Sequence, residues 1–152
     1  MESIKLFKEN MSLKLLITFA IFGMCLTYGI LVAHIYIDTE FQVSNIEEAY
    51  STFDWIELVD QTHKYLPYYG IYLFAFALLI FVLGTSYSQR VKIPMVIIPN
   101  CLIFIDIGSM WAIRYVHAGI FSWVLFIAGT LLGLSFAMII VLSLYDIWLR
   151  KT

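Results

Sequence analysis

Residues 118–145 read AGIFSWVLFIAGTLLGLSFAMIIVLSLY and contain no acidic or basic side chain. A helix needs about 20 apolar residues to cross roughly 30 Å of hydrocarbon. The stretch is long enough to cross with tilt or to extend beyond the bilayer. A helix is the expected form because backbone groups in lipid must be hydrogen-bonded within their own segment. This stretch therefore predicts a membrane-spanning helix.

Three further apolar runs precede it, at residues 15–37, 65–88 and 93–113, each bounded by charged residues. The chain of 152 residues is 62% hydrophobic and 13% charged, whereas a soluble domain is about half apolar and a quarter charged. This composition excludes a soluble enzyme, a nucleic-acid-binding domain and a disordered chain. The sequence predicts an all-α, four-helix transmembrane bundle in the lipid bilayer, forming a single domain over residues 1–152.

Basic residues are divided unevenly between the two ends of the predicted spans. Only Lys64 and Arg114 flank one end; the other end has Lys5, Lys8, Lys14, Arg90, Lys92, Arg150 and Lys151. The positive-inside rule then places both termini in the cytoplasm and residues 38–62 in an outer loop. The first apolar run exceeds the 7–15 residues of a signal-peptide core, so we expect it to be retained. A multi-pass protein of the cell's inner (cytoplasmic) membrane is predicted.

The outer loop has a helical pattern of its own. Ser44 and Glu47 have the spacing of a capping box, and Ile46 and Tyr50 recur at helical spacing. We expect a short amphipathic helix on the outer interface, with Trp55 as an interfacial anchor. The alternative is an ordered loop without a helix.

Small residues mark one stripe of the fourth span. Gly129 and Gly133 form a Gly-x-x-x-Gly pair, which lets two helix backbones approach closely. Two interpretations stay open: packing inside the bundle, or a face for homo-oligomer formation.

The three histidines are all expected at the outer end of the bundle. His34 ends the first span, His63 opens the second and His117 opens the fourth. Sites in helix bundles are built from side chains at one level on facing helices, and a neutral imidazole binds haem iron or a transition-metal ion. For a b-type haem, two histidines would be axial ligands, with Lys64 and Arg114 near the propionates.

A transition-metal ion is the second interpretation of the histidines, with Glu47 and Glu48 of the loop helix as further ligands. The third interpretation has no cofactor, and each histidine then lies at the headgroup level with a partner of its own.

Asp106 is the one charged residue inside the third apolar run. It lies eight residues before Arg114, about 12 Å along the helix. A carboxylate at this depth is costly and should face the bundle interior. It is either part of a proton or ion relay, or a structural hydrogen-bonding group whose partner is Ser109, a tyrosine or a carbonyl freed by Pro99.

Several short segments resemble an uncharacterised family of small four-span bacterial inner-membrane proteins. They are Ile46-Glu47-Glu48-Ala49-Tyr50, Thr62-His63-Lys64-Tyr65, Asp106-Ile107-Gly108-Ser109-Met110-Trp111, Gly133-Leu134-Ser135-Phe136 and Leu144-Tyr145-Asp146-Ile147-Trp148. The resemblance implies a histidine-rich outer face suited to metal or haem. Of the histidines in this chain, only His63 matches the family pattern. At two further positions where the pattern has histidine, this chain has Ala49 and Tyr65.

The sequence leaves three functional hypotheses. The first is a haem- or metal-binding membrane protein associated with redox or respiratory machinery. The second is a non-catalytic accessory subunit that packs against a larger membrane complex. The third is an ion or proton carrier that depends on Asp106. The sequence names no catalytic residue, and a role other than that of an enzyme is favoured.

Overall fold

The computed structural model describes residues 10–150, apart from the side chains of residues 69 and 71. Lys5, Lys8 and Lys151, which contribute to the predicted orientation, lie outside the described residues. Within residues 10–150 the chain is helical and has no strand. Its α-helices are α1 (Met11–Thr39), α2 (Val43–Thr52), α3 (Trp55–Leu66), α4 (Phe76–Gly84), α5 (Gln89–Tyr115) and α6 (Ala118–Leu144).

Two π-helical segments extend these helices: Pro67–Ala75 joins α3 to α4, and Tyr145–Leu149 follows α6. Among the described residues, three helices are long and apolar enough to cross a membrane: Met11–Thr39, Gln89–Tyr115 and Ala118–Leu149. A shorter apolar helix covers Tyr72–Gly84. Three of the predicted spans, 15–37, 93–113 and 118–145, lie inside the three long helices.

The run predicted as the span 65–88 has a different structure. Its helix begins ten residues earlier, at Trp55, and ends at Gly84. Helical geometry changes to π-helical at Pro67, which has no N–H to donate to the preceding turn. The apolar residues of this run therefore continue an amphipathic helix instead of starting a new one.

The loop between α1 and α3 contains a helix, α2, as the pattern predicts. The predicted Ser44–Glu47 capping box is wrong, because α2 begins after Gln42 without a side-chain cap. The capping box of this loop lies at α3 instead. There the Glu57 amide donates to Asp54 Oδ1 over 2.8 Å, and the Asp54 amide donates to Glu57 Oε2 over 2.7 Å.

The core consists of two apolar clusters. The larger one lies between α1, the π-helical segment Pro67–Ala75, α4, α5 and α6, and includes Phe74, Phe81 and Phe136. The smaller one joins Ile46 of α2 to the α5–α6 pair, so α2 is packed onto the bundle. We call this end of the bundle the α2 end. Helix α1 is the most peripheral of the long helices, since only Ile17, Ile21 and Thr39 are buried on it.

The opposite end, which we call the Lys92 end, is joined by buried charges. The Lys92 ammonium donates to the carbonyls of Val82 and Thr85, both over 2.7 Å, and so caps the end of α4. Asp146 has no exposed surface. Its carboxylate accepts from the Ser86 amide over 2.8 Å and from the Ser86 hydroxyl over 2.7 Å. The Ser86 contacts tie the connection between α4 and α5 to the π-helical segment that follows α6.

Candidate functional site

A cavity of about 510 Å³ lies between α1 and α6 in the half of the bundle nearest α2. Residues Tyr28 to Thr39 of α1 form one wall, and residues Leu125 to Leu134 of α6 form another. Ile46 and Tyr50 of α2 lie at one end, and α5 contributes Asp106 and Met110. Most of the lining is aliphatic, aromatic or glycine. Such a volume and lining are typical of small-molecule pockets, which measure roughly 300–1,000 Å³.

Asp106 is the only acidic or basic residue that lines this cavity in the described part of the chain. It lies against α6 at Gly129, where an added Cβ would be 3.4 Å from Asp106 Oδ1. The predicted structural hydrogen bond to Ser109 is not formed, since the Ser109 hydroxyl donates to the Ile105 carbonyl over 2.6 Å. Within residues 10–150, Asp106 forms no hydrogen bond or ion pair. Its carboxyl group is available to whatever occupies the cavity.

Tyr28 contributes an aromatic wall on α1. Its ring stacks on Phe136 of α6 with the centroids 4.6 Å apart. Its hydroxyl oxygen lies 2.8 Å from the position that a Cβ on Gly133 would take. The absence of a side chain at Gly129 and Gly133 therefore leaves space for Asp106 and Tyr28 between the helices of one molecule. This agrees with the interpretation that the glycine pair serves packing within the bundle.

Tyr50 and Tyr65 add two phenol groups near the α2 end of the cavity. Burial raises the pKa of the Tyr50 phenol above its usual value, and the nearby Tyr65 and Asp106 add to the shift. The Tyr50 hydroxyl group therefore remains protonated over the whole physiological pH range. It supplies a neutral polar group and an aromatic face but no charge.

The three histidines lie outside this cavity, each in a different local environment. His34 is exposed and pairs with Asp38, with Nδ1 and Oδ2 2.9 Å apart. His117 is the N-cap of α6, where its Nδ1 accepts from the Ile120 amide over 3.3 Å. His63 is exposed on α3.

The other predicted ligand and rim residues also have local contacts. The Lys64 ammonium pairs with Asp60 over 2.5 Å, and Arg114 donates to the Ser51 carbonyl. Glu47 approaches His117, since both lie within 4 Å of the position that a Cβ on Gly119 would take.

Glu48 is exposed on α2. Among residues 10–150, no group of three or more His, Cys, Asp or Glu side chains has a geometry that could hold a metal ion. The predicted metal set of His34, His63, His117, Glu47 and Glu48 therefore has no support from the structure, and neither has a haem site.

Two features of the site were not predicted from the sequence. The cavity and its Tyr28 wall depend on how far α1 lies from α6, which no local pattern reports. The spacing of Gly129 and Gly133 carried a partial signal, because small residues in a row leave space for a neighbouring group. The burial of Asp146, at the other end of the bundle, was not predicted either, because its partner Ser86 lies 60 residues away in sequence.

Comparison with known proteins gives one match. Residues 43–152 match the model of the Aq_1264_TM family, which is described as a transmembrane helical domain. A search of curated proteins gave no match, and a search of solved structures gave none either. The match covers α2 to α6, including Asp106 and the α6 wall of the cavity. Because it extends over more than half of the chain, the protein belongs to this family of transmembrane helical domains.

Proposed function

We propose that this small integral membrane protein binds a hydrophobic small molecule in the cavity between α1 and α6, with Asp106 as the polar contact. The observation that carries the proposal is the combination of the cavity with a carboxyl group that has no partner in residues 10–150. An ionisable residue at membrane depth is costly and usually marks a substrate or ion pathway. A carboxylate with a purely structural role is expected to have a hydrogen-bonding partner, as Asp146 has in Ser86.

A binding measurement with a neutral probe tests the proposal. Triphenylphosphine oxide is dialysed against the protein in lipid nanodiscs, and uptake by empty nanodiscs is subtracted. We expect saturable binding that Gly129→Leu weakens at least about tenfold, because the new side chain fills the cavity beside Asp106. Gly108→Leu is the matched control, since a Cβ on exposed Gly108 meets nothing within 4 Å. Uptake equal to that of empty nanodiscs would refute the proposal.

We also propose that the protein crosses a bacterial inner membrane four times. The second span lies within the helical stretch that ends at Gly84, with its apolar part at Tyr72–Gly84. That part is short for a span, and the π-helical residues that precede it supply the remaining length. The excess of basic residues at the Lys92 end supports cytoplasmic termini.

A haem or metal site at the histidines stays a prediction with a separate test. Its support is that Glu47 and His117 both lie within 4 Å of the position that a Cβ on Gly119 would take. An absorption spectrum of the purified protein detects b-type haem through its Soret band, and metal analysis detects a bound ion. An accessory role in a larger complex, or a homo-oligomer, is tested by co-purification from native membranes.

A further inference from the structure

We infer that the ligand of the cavity is a lipophilic organic cation, and that it exchanges for a proton on Asp106. This inference rests on the proposed function, because it names the class of molecule that the same cavity binds. Three observations carry it: the charges available to Asp106, the aromatic lining, and the single carboxyl group for which a proton and a cation compete.

The first observation is that no lysine or arginine side chain in residues 10–150 compensates Asp106, and that no histidine lines its cavity. Five of the six described lysine and arginine side chains contact other groups: Lys14, Lys64, Lys92, Arg114 and Arg150. The sixth, Arg90, is exposed on α5 about 24 Å along the helix from Asp106. The described part of the chain therefore supplies no positive charge to balance an ionised Asp106, and a proton or a ligand can supply it.

The second observation is the aromatic lining. Tyr28, Phe41, Tyr50, Tyr65 and Phe126 line the same cavity as the carboxyl group. An aromatic face attracts a cation within about 6 Å of the ring, most strongly where water is excluded. The rest of the lining is apolar and suits the hydrocarbon groups of a lipophilic cation. An anion would find no positive group among the lining residues.

The third observation concerns the proton. A single carboxyl group carries either a proton or the charge that pairs with a cation. Binding of the cation therefore breaks the O–H bond of a protonated Asp106 and releases one proton to water. The titratable groups that face Asp106 are Tyr28 of α1, Tyr50 of α2 and Tyr65 of α3, with Asp38 of α1 beyond Tyr50 and Tyr65. None of them is basic, so no other side chain there takes up the proton.

The experiment compares two ions of matched shape and opposite charge in nanodiscs. Tetraphenylphosphonium is expected to bind, and tetraphenylborate is not. In the pH range where Asp106 is protonated, we expect the phosphonium affinity to fall about tenfold for each unit by which the pH is lowered. The reason is that one proton competes with the cation for the carboxylate. In that range, a weakly buffered solution should record close to one proton released per cation bound. Asp106→Asn should weaken phosphonium binding at least about tenfold while binding of triphenylphosphine oxide persists.

The outcomes separate this inference from the proposed function. If phosphonium and phosphine oxide bind wild-type protein and Asp106→Asn with unchanged affinity, the cation inference fails while the cavity still binds ligands. If no probe binds wild-type protein, the proposed function fails as well. If Asp106→Asn does not fold, the wild-type proton count decides, since cation binding without proton release at any pH contradicts the exchange.

Discussion

Gly133 of α6 has only a hydrogen atom where any other residue would place a Cβ 2.8 Å from the Tyr28 hydroxyl oxygen. The Tyr28 ring fills the remaining space by stacking on Phe136. The wall of the cavity at this point is thus formed by one residue pair across two helices. The effect of a substitution at Gly133 on stability should therefore depend on the residue at position 28, since residues in contact are not energetically independent.

Gly133→Ala should therefore lower stability unless Tyr28 loses its hydroxyl group. We expect a loss of about 1–3 kcal/mol, as for overpacking in other cores. In the double variant with Tyr28→Phe, most of that loss should be recovered. Gly108→Ala is the control, because a Cβ there meets nothing within 4 Å. Unfolding in detergent measures all four proteins, and equal stability of the two alanine variants would contradict this contact.

Single residues were predictable where their chemistry contrasts with the surrounding sequence. Asp106 stands out as a charge within an apolar run, and its location beside the bundle interior follows from that cost. Tyr28 does not stand out, because tyrosine occurs at interfaces and in cores alike. The histidine site stays a prediction, because no group of three or more potential metal ligands forms among residues 10–150. His34 and His117 instead have partners within four residues.

At the scale of elements, the start of α3 shows that a capping-box motif forms only where the helix begins at the matching residue. Both Ser44-x-x-Glu47 and Asp54-x-x-Glu57 match the capping-box pattern. Only the second forms, because the turn after α1 shifts the first helix. Glu40 and Phe41 take φ values of 50° and 56°, and α2 then starts at Val43, which leaves Ser44 inside the helix. The spacing was readable in the sequence, and the turn was not.

Asp54→Ala should lower stability by about 1 kcal/mol, because the Glu57 amide loses its acceptor at the N-terminus of α3. Ser44→Ala should change stability by less than about 0.5 kcal/mol, as is usual for an exposed position without a special role. Chemical unfolding of both variants in the same detergent gives the comparison. A greater loss for Ser44→Ala would show that the predicted box, and not the one at Asp54, caps the loop.

At the scale of the whole molecule, hydropathy and charge predicted a helical membrane protein, and family membership agrees with it. The cavity was not predictable, because it depends on lateral distances between helices. Periodicity reports which face of a helix is apolar, and in a membrane protein lipid and core are equally apolar. The sequence of α1 therefore does not predict that this helix packs weakly against the bundle, although α1 forms one wall of the cavity.

The topology gives a prediction for the intact chain. Reporter fusions after Gly84 and after Thr152 should be cytoplasmic, and fusions within residues 40–60 should be external. The reason is the excess of basic residues that flank the Lys92 end. Reversing this bias, with Arg90 and Lys92 replaced by Glu, should reduce the fraction of correctly oriented molecules. An external C-terminus in the wild-type protein would contradict the orientation.

The most direct test of the central claim is carbodiimide labelling of Asp106, read by mass spectrometry. A hydrophobic carbodiimide such as N,N′-dicyclohexylcarbodiimide reaches protonated carboxyl groups in apolar surroundings and leaves a stable N-acylurea adduct. We predict an adduct on Asp106, slowed by Gly129→Leu, and none on Asp146, whose carboxylate accepts hydrogen bonds from Ser86 and Arg150. Labelling of Asp146 at the same rate as Asp106, or no labelling of Asp106, would contradict an available carboxyl group in an apolar cavity.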